Sequence, residues 1–257
     1  MEDEKIRVRV LGSGTSMGVP TLGCPCAVCH STDERDKRLR PSLLLSRGGQ
    51  NVVIDTTPDF RAQALREKLD RLDAVLFTHS HADHILGLDD VRCFYFQQQR
   101  PIPIYADAYC MNEIHRTFKY IFEGSYRYGG VARLDPHLID GPFEVEGLKV
   151  LPVPVLHGNL PILGFRIDGV AYLTDVSEIP ESSYPLLEGL EVLILDALRS
   201  RPHPTHLTVE QALRVMERLK VPRGYCTHIA HELGHEETNA RLPSNVRLAY
   251  DGLQLEV

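Results

Sequence analysis

Two short stretches of this 257-residue chain crowd together side chains that bind metals. In the first, THSHADH at residues 78–84, His79, His81, Asp83 and His84 fall within six positions. Neutral imidazole suits zinc, iron and manganese, and carboxylate is a harder ligand for the same ions, so one mixed loop can feed two metals. The second stretch, CPCAVC at residues 24–29, carries Cys24, Cys26 and Cys29. Three thiolates suit a zinc ion, but a closed tetrahedral site needs four protein ligands, and the neighbouring His30 is one contender.

The elements that must position these residues read as alternating strands and helices. The histidine loop follows the apolar run AVLF directly, so a buried strand delivers it. Apolar runs bounded by turn residues predict strands at 8–11, 43–46, 52–55, 74–78, 102–106, 148–155, 164–167, 170–174, 192–196 and 224–227. SRGGQN reads as a hairpin turn, and residues 59–69 as a helix opened by a capping Asp59. Thr208 and Gln211 form a capping box ahead of an amphipathic helix. Asp251-Gly252 predicts a tight hairpin between two closing strands. No linker divides the pattern, so the expected fold is an αββα sandwich in a single domain over residues 1–257, with a zinc-binding loop at 24–29.

Composition narrows the partners. The formal charge of −7 argues against binding nucleic acid by electrostatics alone, and no apolar run approaches the length of a membrane span. The reading is therefore a cytoplasmic protein, in which the scattered Cys93, Cys110 and Cys226 serve packing. Gly12, Gly14 and Gly18 in LGSGTSMG lack the lysine of a phosphate-binding P-loop and are expected to let the chain turn tightly beside the site.

The H-x-H-x-D-H pattern after a buried strand resembles the signature of the metallo-β-lactamase superfamily, whose fold is the αββα sandwich. The later motifs of that superfamily appear in order: His157 after LPVPVL, Asp175 in TDVS and His228 in THIAH. The resemblance implies one metal held by His79, His81 and His157, a second by Asp83, His84 and His228, and Asp175 bridging both. Two such ions, zinc, manganese or iron, can share a water and generate a nucleophilic hydroxide that attacks phosphorus or carbonyl carbon. Asp196, at the end of VLILD, is read either as a residue orienting a ligand imidazole or as a strand-end turn residue.

C-x-C-x2-C after LGSGTSMGVPTLG resembles a narrower group, the phosphoribosyl cyclic phosphodiesterases of the carbon-phosphorus lyase pathway. That resemblance implies a structural zinc whose fourth ligand, a histidine three positions after the last active-site ligand, is His231. It also implies that His206 lies near the leaving group as a general acid; Asp83 is read as the other catalytic residue. His203, hemmed in by Pro202 and Pro204, matches no motif, and Arg199 and Arg201 are read as surface residues able to hold a phosphate.

The expected function is a di-metal phosphodiesterase acting on a small or cyclic phosphate ester. The alternatives are tRNA 3′-end processing, suggested by GVPT, lactone or thioester hydrolysis on the same metals, and a non-catalytic zinc-stabilised module. Residues 114–142, with FEGSYRYGG, read as a lid, a homodimer contact or an ordinary surface loop.

Overall fold

The computed structural model describes residues 5–124 and 130–257. In chain order the strands are β1 (Arg7–Gly12), β2 (Ser42–Arg47), β3 (Gln50–Ile54), β4 (Ala74–Leu76), β5 (Ile102–Ala106), β6 (Leu134–Leu138), β7 (Phe143–Val145), β8 (Leu148–His157), β9 (Leu160–Ile167), β10 (Val170–Leu173), β11 (Val192–Asp196), β12 (Arg223–Thr227), β13 (Val246–Leu248) and β14 (Gln254–Glu256). The helices are α1 (Phe60–Arg66), α2 (Ala82–Ile85), α3 (Arg92–Gln98), α4 (Ala108–Thr117), α5 (Lys119–Phe122), α6 (Val209–Arg218) and α7 (His235–Asn239). Among the described residues the strands form two mixed sheets, ordered β14-β1-β2-β3-β4-β5-β6 and β13-β12-β11-β10-β9-β8-β7.

Side-chain alternation builds the layers. Leu43, Leu45, Val52 and Ile54 pack against Phe165, Tyr172 and Ile194 of the other sheet. Their neighbours Leu44 and Val53 point the other way, onto Phe60 of α1 and Phe94 of α3. In the second sheet, Ala171, Leu173, Leu193 and Leu195 turn outward onto Ala212 and Met216 of α6. Burial on both faces explains why these strands read as continuous apolar runs rather than as alternating ones. The result is the αββα sandwich that the sequence pattern predicts.

The connections also place the site. Strands β3 and β4 run parallel in one sheet, and β10, β11 and β12 in the other. Open sheets of parallel strands bind ligands beyond the carboxyl ends of those strands. Asp55, His79, Asp175, Asp196 and His228 all lie at or just past such ends.

Several expectations change in three dimensions. SRGGQN does form the β2–β3 hairpin, with Gly48 and Gly49 at positive φ. Asp251-Gly252 does not close a hairpin: β13 pairs with β12, whereas β14 pairs with β1 in the opposite sheet. Alternating burial looks the same for two hairpin strands and for two strands facing each other across a sandwich. Asp59 makes no side-chain cap on α1; its carboxylate takes the Arg40 backbone N–H and guanidinium instead. The Thr208–Gln211 capping box is present. Cys110 and Cys226 are buried, but Cys93 is exposed on α3 and is not a packing residue. Phe118 is buried, and Tyr120 is exposed and donates to Asp89; Tyr126 and Tyr128 lie outside the described residues. No helix among the described residues is long and apolar enough to cross a membrane.

Gly12 and Gly14 are needed for close approach. A Cβ on Gly12 would stand 1.9 Å from the Arg40 carbonyl oxygen, and one on Gly14 would stand 2.7 Å from that of Arg38. Gly18 is the member of the three that uses positive φ, at 66°. Gly12→Ala is expected to destabilise the fold by about 1–3 kcal/mol, read by urea unfolding. Gly141→Ala, where nothing lies within 4 Å of the new atom, is expected to stay within about 0.5 kcal/mol of the parent.

Candidate metal centre

The histidine loop leaves β4 and enters α2, so His79 is buried, His81 stands exposed at the start of the helix, and His84 is fully buried inside it. His79, His81 and His157 bring one ligand atom each to within 4.8 Å of one another. Asp83, His84, Asp175 and His228 form a second such group. The two meet closely, with the His79 and His84 rings 4.1 Å apart. Asp175 presents its two carboxylate oxygens to different imidazoles, Oδ2 at 3.1 Å from His84 Nε2 and Oδ1 at 3.2 Å from His228 Nε2.

A carboxylate just past the end of β3 organises this cluster. Asp55 is fully buried and accepts from His84 Nδ1 at 2.7 Å, from the Thr78 backbone N–H at 2.9 Å and from the Thr78 hydroxyl at 2.8 Å. That hydroxyl in turn accepts from His79 Nδ1 at 3.0 Å. One carboxylate therefore orients an imidazole in each group, leaving Nε2 of both as the ligating nitrogen. His157 is fixed in the same sense by Nδ1 donating to the Thr205 carbonyl at 2.9 Å. The only trace of Asp55 in the sequence was its place after VVI, at the end of an apolar run.

The backbone at the site is itself unusual. Asp55, Asp175 and His228 have φ of 64°, 58° and 57°. Left-handed residues other than glycine are uncommon and gather at functional sites, where surrounding structure holds them.

Charge tests whether metal ions fit. Burial opposes ionisation of His84 and His228, yet Asp175 and the other nearby carboxylates outweigh it, lifting His84 well above the usual histidine range and His228 to about 10. Against the same burial, these imidazoles hold Asp83 and Asp175 below the usual carboxylate range. Burial pushes His79 and His157 down, so they stay neutral. The cluster thus calls for positive charge, but a proton on His84 or His228 would disable a ligand. His228 Nδ1 is buried with no hydrogen-bond partner, and Nε2 of His84 and of His228 face Asp175 oxygens, at 3.1 and 3.2 Å, outside hydrogen-bond geometry. Buried polar atoms left so poorly satisfied are costly. Divalent ions would satisfy the Nε2 atoms and the charge together, and the mixed His and Asp donors fit a binuclear site.

Beside this cluster, His206 Nδ1 donates to Asp196 at 2.8 Å, and its ring stacks on His228 with centroids 4.5 Å apart. A ligand atom of His206 also lies within 4.8 Å of those of His157 and Asp175. Asp196 orients His206; its distance to His228 Nδ1 is 3.9 Å. His203 accepts from Thr205 and stands next to His206, outside the ligand groups. Arg199 and Arg201 both pair with Glu232.

The thiolate loop meets the far side of the same wall. Cys24, Cys26, Cys29 and His231 form a four-ligand group, with His231 Nδ1 at 3.2 Å from Cys24 Sγ and 3.3 Å from Cys26 Sγ. His30 is exposed and is not part of it. The Cys29 backbone N–H and His231 draw the Cys26 thiol down to about 6, whereas burial pushes Cys29 up to about 11. Three sulfurs and one imidazole in this arrangement suit a tetrahedral zinc ion.

Residues 50–229 match the family described as the beta-lactamase superfamily domain, and the chain belongs to the metallo-β-lactamase superfamily. Within it, the chain is 49% identical to a crystal structure described as a new diphosphatase from the PhnP family, with a TM-score of 0.93 over 98% of this chain and 97% of that one. Zn(2+)-bound PqqB from Methylobacterium extorquens shares the fold at 19% identity and a TM-score of 0.79, over 98% of this chain and 100% of that one. The octanoyltransferase of Porphyromonas gingivalis is 40% identical over 253 residues, 97% of this chain and 51% of that protein. The chain spans about half the length of the curated relatives that head the comparison.

Asp55→Asn keeps the shape but removes the carboxylate, and is expected to weaken metal binding by about 10–100-fold, measured by competition with a chromophoric chelator. His231→Ala is expected to lower retained zinc by one equivalent per chain in elemental analysis while leaving the ions of the histidine and aspartate cluster in place.

Proposed function

We propose that this chain is a metal-dependent hydrolase that cleaves a small phosphorus ester, with phosphodiesters and cyclic phosphates as its substrate class. The observation that carries the reading is the placement of His206. Its Nδ1–H is locked on buried Asp196, so Nε2 is the nitrogen free to exchange a proton, beside the cluster formed by His157, Asp175 and His228. An imidazole so held can pass a proton to a departing oxygen, with Asp196 fixing the orientation of the ring. His79, His81, His157, Asp83, His84, Asp175 and His228 would hold two divalent ions, and Cys24, Cys26, Cys29 and His231 a structural zinc. The catalytic ions would polarise the phosphoryl oxygens, neutralise charge in the transition state and sharpen water as a nucleophile.

The 49% identity to a PhnP-family diphosphatase supports chemistry at phosphorus. The name octanoyltransferase belongs to a protein of which this chain spans 51%, and by itself carries no activity to this chain. Arg199 and Arg201 are engaged by Glu232, which fits a small substrate better than a long polyanion.

The test is hydrolysis of an aryl phosphodiester, a ribosyl cyclic phosphate, a dialkyl diphosphate and a lactone by zinc- or manganese-loaded protein, beside an Asp83→Ala control. Turnover of the phosphorus substrates alone, lost in the control, supports the reading; turnover of the lactone alone overturns it. His206→Ala is expected to slow the ribosyl substrate by about 10²–10⁴-fold. The aryl diester, whose leaving group needs little protonation, is expected to lose less.

A further inference from the structure

Arg38 is buried to the last atom of its side chain; its Nε donates to the Arg35 carbonyl at 3.3 Å, and its two terminal nitrogens both reach the segment between the two ion sites. Its Nη1 donates to the Ala230 carbonyl at 3.1 Å and its Nη2 to the Leu233 carbonyl at 2.7 Å, acceptors that bracket His231 in the chain. Nη2 also pairs with Asp36 Oδ1 at 2.8 Å, and that same oxygen accepts the His235 backbone N–H at 2.8 Å. The Arg38 backbone exchanges two hydrogen bonds with Val19, which precedes the thiolate loop. On the other flank, Thr15 N–H donates to Ile229 and Ile229 N–H to Ser13, next to His228.

The sequence made room for this. The missing Cβ of Gly14 lets the Arg38 carbonyl and Cβ approach, at 2.7 and 2.9 Å from where that atom would stand. Burying a guanidinium with one carboxylate is expensive, and burial holds Arg38 below the usual arginine range. A leucine would fill comparable space without that cost. What a leucine cannot do is bind three backbone carbonyls and a carboxylate from one rigid fork.

We propose that Arg38 is a positioning residue that ties the thiolate site to the catalytic cluster, fixing residues 230–233 so that His231 faces Cys24 and Cys26 while His228 faces Asp175. This rests on the metal-hydrolase reading above. It adds a specific role for the thiolate site in activity: order there reaches His228 through Arg38 and the short segment it holds.

The experiment compares Arg38→Lys, which keeps the charge opposite Asp36 but cannot span both carbonyls, with the parent, with Cys26→Ser and with the double variant. Retention of zinc at the thiolate site, measured by chelator competition, is expected to fall about tenfold in Arg38→Lys. The near-ultraviolet absorption of cobalt bound to thiolate is expected to weaken in parallel at limiting cobalt. Turnover should fall about tenfold with KM within about twofold of the parent. In the Cys26→Ser background Arg38→Lys should cause little further loss. Unchanged zinc retention and cobalt absorption overturn the proposal, as do additive losses of turnover in the double variant.

If Arg38→Lys does not fold, hydrogen exchange on the parent decides instead. Withdrawing the thiolate-site zinc must loosen amides in 36–39 and 229–235 together, and loosening confined to 24–31 overturns the link. Parent protein that hydrolyses no phosphorus substrate sinks the functional reading, whereas the zinc, cobalt and exchange results still judge Arg38.

Discussion

Both groups of candidate ligands depend on one buried carboxylate. Asp55 cannot turn to water, and it is surrounded by donors that all lie on the histidine loop: the Thr78 N–H and hydroxyl, and His84 Nδ1. Burial pushes its carboxyl up, and the charge and hydrogen bonds of His84 and Thr78 oppose that push. Because Thr78 passes the interaction on to His79, the two imidazoles nearest each other are oriented from a single anchor. The anchor sits at a left-handed residue, a conformation held by the sheet on one side and the loop on the other.

The sandwich makes such an anchor affordable. Its middle layer, with Val52, Ile54, Leu76, Tyr172 and Ile194 fully or almost fully buried, lies directly behind the strand ends that carry Asp55, His79, Asp175 and Asp196. Side chains emerging there are shut away from water, Asp55 and Asp196 completely and His79 and Asp175 almost so. Dryness strengthens the hydrogen bonds that fix each ring, and it raises the penalty for any nitrogen left without a partner. The same environment that positions the ligands therefore makes them demand an ion.

The two sheets meet again at the thiolate loop. Asp251, on the crossing between β13 and β14, takes the N–H and hydroxyl of Ser13 and the N–H of Leu39. Ser13 and Thr15 bond to Ile229 in the loop after β12, and Arg38 grips the same loop one and four residues later, at Ala230 and Leu233. A turn motif in the sequence thus serves as a cross-sheet tie, and the glycine-rich stretch beside it is shaped by the backbone it must admit.

The sequence by itself determined the layers and much of the cluster. Continuous apolar runs gave strands buried on both faces, and their order gave the αββα sandwich. His79, His81, Asp83 and His84 announced themselves because one loop carries all four. His157, Asp175, His228 and His231 were legible only through family resemblance, since a single histidine or aspartate at a strand end has no periodicity of its own. Folding brings each of them into the groups described above. The tertiary structure alone decided the rest: that β13 and β14 part company, that Asp55 holds two imidazoles, that Arg199 and Arg201 are spent on Glu232, and that Arg38 reaches across 192 residues to Ala230. The reason is physical. Burial patterns repeat locally along the chain and can be read there, whereas a hydrogen bond between distant segments exists only once the packed sheets have set the distance.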